Sequence, residues 1–542
     1  MTGTFERLRG FGPTLVLGVL AGVAGVLGSY AAAGFTPSFV IAPIDSYLAA
    51  VSPGFVITFA ITVLGDLGQR IALLTAIGLA VAAFAALALV GTVAGRELAA
   101  RTDRPAASLL AGPFLAALGV ALFAFLLVPE PTPALTAGGA AAAVLAVGEA
   151  GRLSTAAGAP VSSEGRRTVL TGLAGALGVG VLGSLLGGRS GADASVPEAP
   201  ASGSPGASTE TGGSTGVETG PSSDDDASEP TATSEPSEVE RLLRGAADLS
   251  LDVEGIEPLV SEKFYSVDIN SVDPKLSAGD WSMRVTGAVE QELDFTYEDI
   301  TSQESREEFV TLRCVGDSLN GKKMDNALWT VIDIEPLLEE AGITADSEQC
   351  CVMLRAADDF FEGFPLSALR EGMLAYRMNG APLPRKHGAP VRALIPGHWG
   401  EINVKWLTEI EILTEEMDGY WEQKGWHGTG PVNPVAKIHA INKLDDGRIE
   451  LGGHAYAGTR GVSRVEVSTD NGATWTEATL SEPLPGDPRD AWRQWVYRYD
   501  PPDGKHVAVA RMYDAEGNVQ TREQSNPYPR GASGWVRETV RP

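Results

Sequence analysis

Apolar positions along the chain fall into two regimes. Before about residue 190 they run almost unbroken, in Ala, Gly, Leu and Val; after it they alternate with polar positions in short bursts. Residues 13–33, 71–94, 106–128 and 168–188 are each long enough to cross a bilayer, which takes about 20 residues, and 134–151 makes a shorter fifth span. Residues 37–69 are apolar but broken by Pro43, Asp45, Pro53 and Asp66, and read as interfacial, with a sixth span as the alternative. Arginine placement favours five, because Lys and Arg collect in cytoplasmic loops. With five spans Arg7 and Arg9, then Arg96, Arg101 and Arg104, then Arg152, Arg166 and Arg167 share that side, and everything after 188 lies outside. Six spans put the middle cluster on the wrong side.

Residues 191–245 are Gly, Ser, Thr, Pro, Ala and acids with little to bury, and read as a disordered acidic linker. From 246 to 416 short alternating runs at 281–286, 309–314, 350–355 and 391–395 predict strands. A helix over 334–341 intervenes, so this unit is α+β. From 417 to 542 strands recur at 448–456, 462–468, 492–498 and 505–513, and Asp470-Asn471-Gly472 supplies a hairpin turn. That spacing predicts an all-β, immunoglobulin-like sandwich. The chain is therefore multi-domain: a helical transmembrane bundle (1–190), the linker, an α+β domain and a sandwich.

Composition narrows the chemistry. A net charge of -28 leaves no basic footprint for nucleic acid. The 69 acids against few lysines suit a halophilic source. All six histidines lie at 387 or beyond, so no paired-histidine haem can sit among the N-terminal helices. The three cysteines, Cys314, Cys350 and Cys351, form no CxxC or CxxCH, which excludes a self-contained iron–sulfur cluster, c-type haem or disulfide framework. Cys350 and Cys351 sit in an apolar run and read as buried strand residues. Ser162 to Leu170, with Arg166-Arg167 before a Gly-rich apolar stretch, reads equally as an internal twin-arginine export signal or as two ordinary cytoplasmic arginines.

Cys314 ends a strand, in Phe309-Val310-Thr311-Leu312-Arg313-Cys314, and so faces a loop. A thiolate there suits a thiophilic metal, although alone the residue reads more readily as a structural cysteine. A second stretch changes the balance. Ala375-Tyr376-Arg377-Met378-Asn379-Gly380-Ala381-Pro382-Leu383-Pro384, then His387-Gly388-Ala389-Pro390-Val391-Arg392, then Val404-Lys405-Trp406, taken with Cys314, closely resembles the molybdopterin domain of the sulfite oxidase family over about residues 255–415. Gly458 to Val462 and Val465 to Trp475 resemble that family's dimerisation sandwich.

The resemblance implies a molybdenum cofactor (Mo-molybdopterin), with Cys314 as metal ligand and catalytic thiolate. His387 and Arg392 would contact the pterin and its phosphate. Asn403, Val404 and Lys405 would wrap the phosphate end, and Phe264 and Tyr265 would touch the cofactor from the first strand of the domain. Arg and Lys suit an anionic phosphate physically, while His387 also reads as a hydrogen-bonded loop residue. The resemblance further implies two-electron oxygen-atom transfer on a small, sulfur-containing substrate at the outer face of the cell membrane, and a homodimer. With no haem or cluster in the chain, electrons would pass to an external cytochrome, copper protein or quinone. Phe360, where sulfite-oxidising members carry Tyr, and Ser266-Val267-Asp268, where they carry arginines, weaken sulfite as substrate. A quinol-fed sulfoxide or N-oxide reductase is the alternative, and a non-catalytic membrane-tethered scaffold the second.

Overall fold

A computed structural model describes residues 2–104, 107–156, 236–345, 347, 350–486 and 488–542. The expected span at 168–188, the Arg166-Arg167 segment and the linker up to residue 235 lie outside the described residues.

Long helices form wherever the apolar run is unbroken: α1 (Thr2–Ala33), α4 (Asp66–Arg101), α5 (Ser108–Leu127) and α6 (Pro131–Ala156). Each is long and apolar enough to cross a membrane, and they coincide with four of the five expected spans. Between α1 and α4 the prolines and acids break the run into α2 (Ala42–Val51) and α3 (Gly54–Phe59), the latter continuing as a π turn over Ala60–Leu64. The two limbs are bent by 110° into a hairpin. Small residues let the helices close: a Cβ on Gly22 would lie 2.4 Å from the Val81 carbonyl oxygen, and one on Gly95 2.3 Å from the Gly112 nitrogen. Glu149, fully buried, accepts from Arg96 Nε and Arg152 Nε, both at 2.8 Å.

The chain resumes in α7 (Glu238–Leu249), begun by a capping box in which Ser237 and Glu240 satisfy each other's backbone amides. Its apolar face, Leu242, Leu243 and Ala246, packs on the core of the C-terminal domain, so the last part of the segment read as linker is ordered helix.

The middle domain has two sheets. One runs Leu293–Thr296, Ser282–Gly287, Leu407–Leu413, Cys351–Ala356, Phe361–Pro365 in spatial order, with the Ser282–Gly287 and Leu407–Leu413 strands parallel. The other is built on the hairpin of Arg306–Arg313 and Met324–Asp333, continued by Met373–Met378. Cys351 opens a strand as expected, but Cys350 falls just before it. There both side chains can turn to one side, and the two sulfurs are bonded to each other. This corrects the reading of the pair as two strand residues.

The C-terminal domain closes two antiparallel sheets over one core that includes Leu451, Trp495, Val465, Ala510 and Val536. Asn471 (φ 61°) and Gly472 (φ 93°) form the anticipated turn. Asp490 joins this domain to the middle one, accepting from Tyr456 Oη at 2.7 Å and from the Gly397 amide at 2.8 Å.

The catalytic side of the molecule rests on the end of the bundle that carries the hairpin. Asp45 accepts from the Ser271 amide at 2.7 Å, Arg385 donates to the Phe35 carbonyl at 3.2 Å, and Ile61 sits against Gly316. Arg96, Arg101 and Arg152 lie toward the opposite helix ends.

Candidate functional site

Three separate stretches of chain meet in one open cleft. Phe264, Tyr265, Cys314, His387, Arg392, Asn403, Val404 and Lys405, the eight residues anticipated from sequence, all line it.

Strand Arg306–Arg313 carries Cys314 to the cleft, and the loop after it is pinned at both ends. The Cys314 amide donates to the Lys323 carbonyl at 3.0 Å, and Asp317 accepts from the Lys323 amide at 3.1 Å. Asp317 also forms a buried ion pair with Lys437, which donates to the Gly321 carbonyl at 2.7 Å. Cys314 is a free thiol. Burial pushes it up to about 11, with Lys323 opposing, so the thiolate requires a cation to form at neutral pH.

Asp325 holds the first strand segment in place, accepting from the Tyr265 amide at 2.8 Å and Ser261 Oγ at 3.0 Å. Phe264 then packs edge-on against both Trp329 and His387. His387 closes a 3-10 turn (Arg385–His387). Burial and the neighbouring Arg392 bring it down to about 3, so its ring is neutral. Gly388, at φ 106°, lets the chain pass between two cations: a Cβ there would meet Lys405 Cβ at 2.9 Å and Arg392 Cβ at 3.1 Å.

Arg392 donates to the carbonyls of His387 (3.1 Å) and Asn403 (2.9 Å), with its guanidinium over the Trp329 ring. Lys405 pairs with Asp268, also donates to Ser266 Oγ at 3.2 Å, and lies over Trp406. The Asn403 side chain is committed to backbone, accepting from the Ile395 amide at 2.7 Å and donating to the Trp399 carbonyl at 2.9 Å. Asn403 and Val404 thus shape the wall through their backbone. Phe360 lines the cleft against Tyr420, and Ser266, Val267 and Asp268 stand in the wall as well.

Sequence reasoning missed four wall residues. Glu401 is 9% exposed, with burial and then Glu422 raising its carboxyl to about 8. Trp421 and Trp426 come from one aromatic-rich run, 420–426, whose composition was the signal available. Ile61 reaches in from the bent hairpin, and nothing local in its sequence points there. Trp426 Nε1 is buried without a hydrogen-bond partner, as expected of a wall shaped around a polar guest.

Comparison with known proteins agrees with this geometry. Residues 270–421 match the oxidoreductase molybdopterin binding domain, and residues 432–526 the Mo-co oxidoreductase dimerisation domain. Over residues 270–526 the chain is similar to the sulfite oxidase family. Among curated relatives, mitochondrial sulfite oxidase of Rattus norvegicus is 30% identical over 297 residues, covering 46% of this chain and 54% of that protein. The Homo sapiens sulfite oxidase is 28% identical over 300 residues, with the same coverage. NADH nitrate reductase of Solanum lycopersicum is 27% identical over 270 residues, 39% of this chain and 30% of its own. The chain thus spans about half the length of the sulfite oxidases it matches. The crystal structure of sulfane dehydrogenase SoxCD from Paracoccus pantotrophus aligns with 50% of this chain and 78% of its own, at 20% identity and a TM-score of 0.42. Residues 270–421 thus form an oxidoreductase domain of the molybdopterin-binding type.

Proposed function

We propose that the protein is a membrane-anchored enzyme that moves an oxygen atom to or from a small sulfur compound at the outer face of the membrane. The observation that carries this reading is the meeting of Phe264, Tyr265, Cys314, His387, Arg392 and Lys405, from three distant stretches, in one cleft.

The residues fit the cofactor. Arg392 and Lys405 supply the positive charge that a pterin phosphate requires, Cys314 is the soft ligand suited to the metal, and the orphaned Trp426 Nε1 in the wall awaits a polar partner. When bound, the molybdenum centre supplies the two-electron redox change that accompanies oxygen transfer. The chain's residues do the rest. Cys314 gives up its proton on ligation, and the Asp317–Lys437 pair holds its loop. Neutral His387 offers a hydrogen bond without adding charge, while Phe264 and Trp329 keep that side dry. Phe360, lacking a hydroxyl, and Asp268, an acid, make the substrate side less suited to an anion such as sulfite. We favour a neutral or organic sulfur compound.

Arginines at the far end of the bundle support an outer-face location for the catalytic domain by charge asymmetry, and the dimerisation domain supports a homodimer. Molybdenum and pterin content of wild type beside Cys314→Ser tests the site: metal loading and activity both unaffected would overturn it. Assays with oxidised and then reduced dyes separate oxidation from the alternative, quinol-fed sulfoxide or N-oxide reduction, since turnover only with reduced dye selects the latter. Absence of molybdenum and pterin from wild type made in a competent host would favour a non-catalytic scaffold.

A further inference from the structure

A second open cavity lies between the bent hairpin of α2 and α3 and the catalytic domain. Its membrane side is α2, α3, the π turn and the start of α4; its other side is the 266–271 segment with Lys323, Tyr420 and Trp421. Ile61, Ser266 to Ile269 and Trp421 line both this cavity and the cofactor cleft, so the two spaces share a single wall. We propose that this cavity binds the ring of a lipid-soluble quinone, the carrier that exchanges electrons with the cofactor.

Four observations converge on that ligand. The lining is mostly apolar, and Phe59 and Ile71 within it are 53% and 46% exposed on the hairpin and α4; in a bilayer they open the cavity toward acyl chains. On the side of the catalytic domain the lining includes Lys323 and Tyr420, residues able to hydrogen-bond ring oxygens. The Lys323 carbonyl is also the acceptor for the Cys314 amide, so this side adjoins the ligand loop. Lastly, no histidine precedes 387 and no haem or cluster motif exists in the chain, so a carrier must itself come close to the cofactor, and an apolar cavity one wall away admits a lipid-soluble one.

The proposal rests on the oxidoreductase reading above and balances with it. For oxidation, substrate plus water plus quinone gives oxygenated substrate plus quinol. Water provides the oxygen atom and the two protons, and the substrate provides the two electrons that reduce the ring. The reverse sum describes quinol-driven reduction.

Full-length protein in nanodiscs would be titrated with a naphthoquinone carrying a ten-carbon tail. Binding is read from tryptophan fluorescence quenching, and turnover separately with quinone and with a water-soluble dye. Ala72→Trp and Ala49→Trp each fill the cavity without touching the cofactor cleft. The expected result is at least tenfold weaker quinone binding and loss of quinone-coupled turnover in both variants, with dye-coupled turnover retained. Unchanged quinone binding and turnover in both variants, with dye activity intact, would overturn the quinone site and leave the enzymatic reading standing. A co-purified lipid in the cavity, identified by mass spectrometry and not displaced by the quinone, would also overturn it. Should wild type lack molybdenum, the fluorescence titration still decides the binding site on its own.

Discussion

Asp268 and Lys405 form an ion pair in the wall of the cofactor cleft, their side chains only 11% and 13% exposed. The acid occupies part of the positive charge that an oxyanion would meet. Asp268→Asn should therefore raise the affinity of the cleft for sulfate by about tenfold, the equivalent of ~1.4 kcal/mol, and Lys405→Met should lower it. Calorimetric titration of cofactor-free protein measures both, and weaker sulfate binding by Asp268→Asn would contradict the role given to the pair.

The Asp317–Lys437 pair is fully buried and ties the loop after Cys314 to the C-terminal domain. Burial lowers Lys437 to about 8, with Asp317 opposing. Removing Lys437 leaves buried Asp317 with the Lys323 amide and the more distant Arg313 guanidinium at 3.9 Å, and breaking a buried pair in this way costs up to about 3–5 kcal/mol. Lys437→Met should lower the melting temperature sharply, and adding Asp317→Asn should recover part of the loss; a double variant no better than the single one would show that the charge is not what matters.

Asp490 carries a pH signature. Burial raises its carboxyl from 3.8 to about 7, against the hydrogen bonds from Tyr456 and Gly397. The folded chain holds this proton more tightly than the unfolded one, so its contribution is full below about pH 4 and is lost as pH rises through about 7. The slope is at most about 1.4 kcal/mol per pH unit. Asp490→Asn should gain stability relative to wild type across that window, as read from melting curves at a series of pH values. A variant that loses ground as pH rises would rule this out.

Helix packing in the bundle can be tested with two glycines. A Cβ on Gly95 would clash at 2.3 Å with Gly112, whereas Gly78 has nothing within 4 Å. Gly95→Leu should lower the thermal stability of detergent-solubilised protein, and Gly78→Leu should leave it unchanged.

The parts legible in sequence were those written in contiguous chain. Cys314 at a strand end, the His387 to Arg392 run and the Lys405 segment each carried their own signal, and all line one cleft. The long helices followed from unbroken apolar runs, and the C-terminal strands from alternation and the Asn471-Gly472 turn. What escaped depends on docking between distant segments. Ile61 reads as one more apolar residue in a broken run, and only the hairpin's bend brings it to Gly316. Glu401 reads as an exposed acid in a turn, yet Trp426 and Gly428 close over that region and leave its carboxyl buried. Asn403 was anticipated in the right place, while its side chain turned out to brace the backbone.

The hairpin against Gly316 also bears on what the anchor is for. A fragment released at Ser237 would lack Ile61, and its cleft would stand open to water on that side. In a bilayer, a guest arriving through the hairpin's mouth diffuses in two dimensions. Its encounter rate would then follow its surface density among the lipids, so dilution of the surrounding medium would leave turnover with such a guest untouched.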